Sequence, residues 1–193
     1  QTLDSMVYTF AGKGVEEDTL WVRVNLQGDA VPYARDILVV TDDEKTTAEE
    51  GLHYEALKPV YELPADAVYT RIPVIIYNKD EELEKKQVTI ALALKSSDEL
   101  DLGITDRRTC RLLVSNMLGK PLYWEETISR DFGEYSRKKH ELCILELGRD
   151  FPAEASEYSA ESRMWDVYGA YMSDYFEENY PVYDENGKII EPW

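Results

Sequence analysis

Residues 20–27 read LWVRVNLQ, and every second residue of this stretch is apolar: Leu20, Val22, Val24 and Leu26. Because successive side chains of a strand point to opposite faces, a period of two predicts a strand with one buried face and one solvated face. Residues 88–94 repeat the pattern. The two stretches together predict a sheet-rich fold for the first part of the chain.

Five more short apolar segments have the length and the flanking turn signals of strands. They are Met6–Ala11, Ile37–Val40, Lys58–Leu63, Val68–Tyr77 and Cys110–Val114. Proline cannot donate a ladder hydrogen bond, so Pro73 places its strand at a sheet edge or at a bulge. About seven strands with no helical segment between them predict an antiparallel, immunoglobulin-like β-sandwich as the first domain, residues 1–118.

The hydrophobic period changes after residue 118. Ser136 and Gly148 have the character of the N-cap and the C-cap of one helix. In residues 164–176 aromatic and apolar side chains recur at helical spacing, which predicts a second helix with a broad aromatic stripe. Residues 184–187 predict the turn of a small hairpin. We therefore expect an α+β protein, in which an α-rich region of residues 119–193 packs on the sandwich.

The chain carries 39 acidic and 21 basic side chains, a net charge of −18. So few cations cannot neutralise many phosphates, which excludes a general nucleic-acid binder. Residues 150–193 hold 11 acids against two bases, whereas residues 106–140 hold eight bases against five acids. Such an uneven distribution usually marks solvated faces, and the alternative is a surface that meets a partner.

The sequence contains no motif of catalysis or nucleotide binding. His53 and His140 could act as the base of a serine hydrolase, but the chain has no Gly-x-Ser-x-Gly nucleophile motif. Residues 12–14 lack the rest of a phosphate-binding loop. We therefore expect a protein that is not an enzyme. Clustered acids keep a carboxylate-dependent hydrolase as the alternative, because two carboxylates can divide the roles of acid and nucleophile.

The two cysteines each share a phase with apolar residues. Cys110 lies on the same face of its predicted strand as Leu112 and Val114, and Cys143 lies on the apolar side of the first predicted helix. This pattern predicts buried thiols. A disulfide between them is the alternative, which only geometry can license.

Aromatic residues are concentrated in the acidic C-terminal region. Three of them fall outside the predicted helical stripe and so remain available to a ligand: Tyr180, Tyr183 and Trp193. Planar rings beside carboxylates suit the capture of sugars, because the ring covers an apolar face while its neighbours accept hydroxyl hydrogens. The alternative is that these rings belong to the core.

Several segments resemble the Calx-beta repeat. They are Ala48–Tyr54, Val60–Pro64 with Asp66, Ile72–Val74, and Glu82–Glu84 leading into Val88–Leu94. The whole chain is similar to a family of Bacteroidetes surface lipoproteins of unknown function, which place a Calx-beta-like sandwich before a helical tail. That resemblance includes the family's Trp and Gly-x-Tyr-Ser-x-x-Lys signature, here Trp124, Phe132–Ser136 and Lys139.

The Calx-beta resemblance implies a calcium site. Its candidate ligands in this chain are Glu50, Asp80, Glu82 and Glu84. His53 stands where the repeat has an acid, and Lys79 stands in its Asp-Asp step. A lysine among the ligands opposes a divalent cation, so we expect no cofactor, with Ca²⁺ as the alternative.

The lipoprotein resemblance implies an exported protein on the outer membrane or cell surface. A lipid anchor upstream of Gln1 would hold it there, since no apolar run approaches the ~20 residues of a membrane span. The resemblance implies a non-catalytic binding or accessory role, such as capture of a glycan or peptide beside an outer-membrane uptake system. An outer-membrane protein would then be its partner, and a Ca²⁺-stiffened adhesion spacer is a further alternative.

Overall fold

The structure is a computed structural model that describes residues 5–193, except for the side chain of Asp106. The described chain divides into two compact units. The N-terminal unit contains the residues up to Phe10 and Val15–Met117, and the C-terminal unit contains Ala11–Gly14 and Leu118–Trp193.

Within residues 5–193, seven strands form the N-terminal unit. They are β1 (Ser5–Thr9), β2 (Glu17–Asn25), β3 (Arg35–Thr41), β4 (Tyr61–Leu63), β5 (Tyr69–Tyr77), β6 (Val88–Lys95) and β7 (Thr109–Ser115). One sheet has the order β1-β7-β6-β3-β4, and β2 pairs with β5 in a second sheet. Each predicted segment overlaps one of these strands.

The strand pairs are antiparallel except for β1 with β7, which run parallel. Parallel neighbours need a long connection, and the intervening strands of the unit provide it. Pro73 lies opposite Trp21 in the two-stranded sheet, so its strand is not a central one. The sheets meet through one apolar core, to which Val22, Ile72 and Ile90 contribute from different strands. The predicted sandwich and the α+β class are confirmed.

Helices and a small hairpin make up the C-terminal unit. They are a π-helical turn (Trp124–Ile128), α1 (Ser129–Phe132), α2 (Arg137–Leu147), α3 (Ala155–Ala160), α4 (Ser162–Glu178), β8 (Val182–Tyr183) and β9 (Ile189–Ile190). Ser136 Oγ accepts the N–H of Lys139 at 3.1 Å, and Gly148 ends α2 in the left-handed conformation. Both predicted caps and the predicted hairpin are therefore confirmed.

The aromatic stripe of α4 is buried in a second apolar core. Trp165, Met172 and Phe176 are fully buried there, together with Trp124 and Phe132. The partners of the stripe are thus side chains of the same unit. In residues 5–193, no helix combines the length and the apolar composition needed to cross a membrane.

Candidate functional site

Tyr180 and Trp193 border one shallow depression of about 460 Å³ in the C-terminal unit. Tyr180 follows the end of α4 and is 50% exposed. Glu177 lies one helical turn before it and also borders the depression. Tyr183, on β8, is 54% exposed but lies outside this depression. The structure therefore brings together two of the three aromatic candidates and adds a carboxylate.

Hydrogen bonds hold the Trp193 side chain in place. The backbone N–H of Trp193 donates to Ser173 Oγ at 2.9 Å, and the Ser173 hydroxyl donates to the Trp193 carbonyl at 2.6 Å. The indole N–H donates to the backbone carbonyl of Asp131. The ring is thus already ordered, and a ligand would not bear the entropy cost of fixing it. Trp193 is partly buried, so Tyr180 offers the larger exposed ring.

Lys139 lies beneath this region and is almost completely buried. Its Nζ donates to the carbonyls of Phe132 at 2.8 Å and Glu134 at 2.7 Å, and it lies 4.3 Å from the centre of the Trp193 ring. Burial lowers the pKa of Lys139 to about 8. The lysine of the sequence signature therefore fixes the backbone under the indole ring.

Asp80, the central calcium candidate, uses both oxygens in protein contacts. Oδ1 accepts the N–H of Glu82 at 3.0 Å, and Oδ2 lies 2.9 Å from Nε2 of His53. Nδ1 of His53 accepts the N–H of Glu49 at 2.8 Å, so the ring proton sits on Nε2 and is donated to Asp80. The hydrogen bonds from Glu82 and His53 lower the pKa of the Asp80 carboxyl, and the bond from Glu82 has the larger effect.

The other calcium candidates are spread along two segments. Glu82 pairs with Lys85 at 3.0 Å, and Glu84 ends the same 3₁₀ turn, Glu81–Glu84. Glu50 forms a backbone bridge with Tyr54. Among the side chains that the structure describes, no group of three or more His, Cys, Asp and Glu is placed to hold a metal ion.

The cysteines lie in different units, and no disulfide joins them in the described chain. Cys143 is buried, as predicted, and burial raises the pKa of its thiol to about 12. The prediction of a buried thiol is wrong for Cys110, which is only half-buried and borders a cavity. A thiol with so high a pKa carries little thiolate at neutral pH, so Cys143 is unsuited to nucleophilic chemistry.

The hydrolase alternative requires a carboxyl that keeps its proton near neutral pH. The pKa values of Asp42, Asp80 and Glu134 are instead lowered, in each case chiefly by a hydrogen bond that the carboxylate accepts. These three groups are therefore unsuited to act as a general acid.

A larger cavity, of about 1010 Å³, lies between the sheets of the N-terminal unit. Strands β2, β3 and β6 and the connection between β6 and β7 line it. Arg35, the first residue of β3, borders this cleft and is buried. No sequence motif marks Arg35, although its spacing of two from Ile37 indicates that both side chains share a face.

Comparison with known proteins identifies a family for most of the chain. Residues 1–149 match the family described as "Domain of unknown function (DUF4843)". This match includes the whole N-terminal unit with its cleft, and it ends before the residues of the depression. No curated protein matches the chain.

Solved structures resemble part of the chain at low sequence identity. CBD12 from CALX1.2 has a TM-score of 0.42 and 15% identity, and the match covers 58% of this chain and 40% of that chain. An apo-form Calx CBD1 domain has a TM-score of 0.44 and 17% identity, with 58% and 90% covered. An auxiliary nutrient binding protein from Bacteroides thetaiotaomicron has a TM-score of 0.43 and 11% identity, with 61% and 44% covered. The chain thus spans about two-fifths of the length of the CBD12 structure.

Proposed function

The chain belongs to the DUF4843 family, a domain of unknown function, and we propose that it is a non-catalytic binding module that captures a glycan at the cell surface. The depression of the C-terminal unit carries this proposal. It combines a half-exposed tyrosine ring, an ordered indole and a carboxylate: Tyr180, Trp193 and Glu177.

These groups match the two kinds of surface that a sugar presents. The exposed ring of Tyr180 offers an apolar platform for the C–H face of a pyranose. The Glu177 carboxylate accepts hydrogen bonds from hydroxyl groups, and such charge-assisted bonds are stronger than neutral ones. A shallow site of this kind gives modest affinity, which a protein on a cell surface can raise by presenting many copies.

The charge of the region favours a neutral glycan over an acidic one. Residues 150–193 carry 11 acids and two bases, and Glu177 and Glu178 are the last two residues of α4. An acidic sugar or a phosphorylated ligand would meet like charge at this depression, and like charges repel strongly at short range.

A glycan array followed by titration of the retained oligosaccharides tests the proposal. We expect neutral oligosaccharides to bind, and Tyr180→Ala to weaken their Kd by about tenfold, which corresponds to ~1.4 kcal/mol. Tyr183→Ala is the matched control, because Tyr183 is exposed to a similar extent but lies outside the depression. An array that retains no glycan, or equal affinity in the wild type and Tyr180→Ala, would refute glycan capture. A peptide array that retains ligands would instead favour peptide capture.

The proposed location is the outer membrane, with a lipid anchor and an outer-membrane protein as partner. It rests on the resemblance to the surface lipoproteins. Protease treatment of intact cells that express the full-length gene product tests it: a surface protein is digested while a periplasmic marker survives. Co-purification with a membrane receptor would support the accessory role.

A further inference from the structure

The cleft of the N-terminal unit has apolar walls. Side chains from the inner faces of both sheets line it: Val22, Val24, Ile37, Val39, Leu92 and Leu94. Its volume of about 1010 Å³ is at the upper end of the range for small-molecule sites. A cavity with such walls favours the apolar part of a ligand.

Arg35 places a cation among these apolar walls. It is on the same face of β3 as Ile37 and Val39, and only 8% of its surface is exposed. Its Nε is buried and has no hydrogen-bond partner among the residues that the structure describes. Burial of a guanidinium N–H without a partner is unfavourable, because its lost hydration is not replaced.

Other arginines of the cleft do have partners. Arg108 donates from Nε and Nη2 to the carbonyl of Gly103, at 2.9 and 2.7 Å. Arg23 donates from Nε to Asn25 Oδ1 at 2.8 Å. The unsatisfied Nε of Arg35 is thus not a general property of the arginines around this cavity.

Acidic side chains also border the cleft, but they lie at its exposed rim. They are Asp29, Asp36, Glu99 and Asp101. Oε2 of Glu99 is used locally, since it accepts the N–H of Asp36 at 3.4 Å. Water weakens the field of exposed charges far more than that of a buried one, so the buried Arg35 acts more strongly on a ligand inside the cleft than the acids of the rim do. The acidic rim still disfavours ligands that carry several negative charges.

We propose that this cleft binds a small ligand with an apolar body and a single carboxylate, and that the carboxylate pairs with Arg35. A guanidinium can bind a carboxylate through two parallel hydrogen bonds. Because Nε is buried, a shift of the Arg35 side chain towards the cleft would bring this N–H to the carboxylate acceptor. The apolar body would occupy the walls of β2, β3 and β6. This site is independent of the proposed glycan depression, which lies in the other unit.

Titration calorimetry of the full chain with decanoate and with decanol, both below their aggregation limits, tests the proposal. We expect decanoate to bind at least tenfold more tightly than decanol. Arg35→Met, which replaces the cation with an apolar chain of similar length, should weaken decanoate tenfold or more and leave decanol unchanged. Arg107→Met is the matched control, because Arg107 borders the same cleft but is exposed. It should leave both affinities unchanged.

Alkylation of Cys110 gives a second measurement that needs no substitution. Cys110 borders the cleft and is half-buried, so bound decanoate should slow its reaction with N-ethylmaleimide, whereas decanol at the same concentration should not. Mass spectrometry distinguishes it from the buried Cys143. Equal binding of acid and alcohol, full decanoate affinity in Arg35→Met, or unprotected Cys110 would each overturn the proposal. If Arg35→Met does not fold, the protection experiment on the wild type decides.

Discussion

Lys139 is buried, unlike an ordinary surface lysine. Burial lowers the pKa of its ammonium group from 10.5 to about 8. Below pH 8 the amine is protonated in both the folded and the unfolded chain, and the folded state bears the cost of burying the charge. Between pH 8 and 10.5 only the unfolded chain keeps this proton, so the contribution of Lys139 to stability rises with pH.

We predict that this rise can be measured as a difference in the free energy of unfolding between the wild type and a variant. The free energy of unfolding of the wild type, minus that of Lys139→Arg, should increase between pH 7.5 and pH 10, because arginine stays protonated. The free energy of unfolding of Lys139→Met, minus that of Lys139→Arg, should not change with pH, since neither side chain titrates in this range. Urea denaturation at each pH measures both differences. A wild-type difference that stays flat or falls would show that the lysine titrates normally.

At the scale of elements, the contact between α1 and α4 depends on the absence of a side chain at Gly169. A Cβ atom at this position would lie 2.2 Å from the carbonyl oxygen of Asp131, far inside contact distance. The obstacle is backbone, which cannot move aside as a flexible side chain can. The helices therefore approach closely enough for the aromatic stripe to pack.

Gly169→Ala should destabilise the protein by about 1–3 kcal/mol, the usual cost of overpacking. Helix propensity alone predicts the opposite, a gain of up to ~1 kcal/mol. Ala170→Gly, on the exposed side of the same helix, is the control and should cost about 1 kcal/mol through propensity only. Thermal and urea denaturation of both variants measure these effects. A stabilised Gly169→Ala protein would contradict the close approach of the helices.

The segment between β5 and β6 contains Asp80, and its ability to bind Ca²⁺ can be tested. His53 and the N–H of Glu82 already use both carboxylate oxygens. We predict that 2 mM CaCl₂ changes the melting temperature by less than about 1 °C relative to EDTA, because a ligand stabilises only the state that binds it. MgCl₂ at the same ionic strength is the control. A Ca²⁺-specific rise that Glu82→Gln abolishes would instead favour the calcium-stiffened spacer.

For the whole molecule, the net charge of −18 opposes compactness. Within the C-terminal unit, an ion pair and backbone hydrogen bonds from residues before position 140 to acids after position 150 relieve part of this repulsion. Arg130 contacts Asp166 at 3.0 Å, and the backbone N–H groups of Arg137 and Lys138 donate to the carboxylate of Glu185. Most of the acidic side chains are exposed, so the repulsion among them is sensitive to salt.

Raising NaCl from 10 to 300 mM should therefore stabilise the protein. A gain of about 1 kcal/mol corresponds to an increase of ~2–4 °C in melting temperature for a chain of this size. Scanning calorimetry measures it, and glycerol matched for osmolality is the control for effects other than screening. A melting temperature that falls with salt would mean that attractive pairs outweigh the repulsion.

The sequence alone predicted the strand segments, the caps of α2, the stripe of α4 and the terminal hairpin. It missed the π-helical turn and α1, although Trp124, Ile128 and Phe132 are spaced by four and all three are buried. It also missed α3, whose six residues bury only Tyr158. Short helices give few periods to count, so their pattern is hard to separate from chance.

Two of the three aromatic ligand candidates border the depression, but the sequence did not indicate that Trp193 is anchored through Ser173 and Asp131. Nor did it indicate that Arg35 is buried without a partner for its Nε. The candidate residues were visible in the sequence, whereas their surroundings were not.

The sequence by itself determined where most of the strands and the longer helices lie, because burial of one face produces a regular spacing of apolar residues along the segment. Only the tertiary structure decided what each polar side chain contacts. His53 meets Asp80 across 27 positions of the chain, and the Trp193 indole meets the carbonyl of Asp131 across 62. Such partners come together only when distant segments pack, so no local pattern encodes them, and the chemistry of the cleft and the depression depends on that packing.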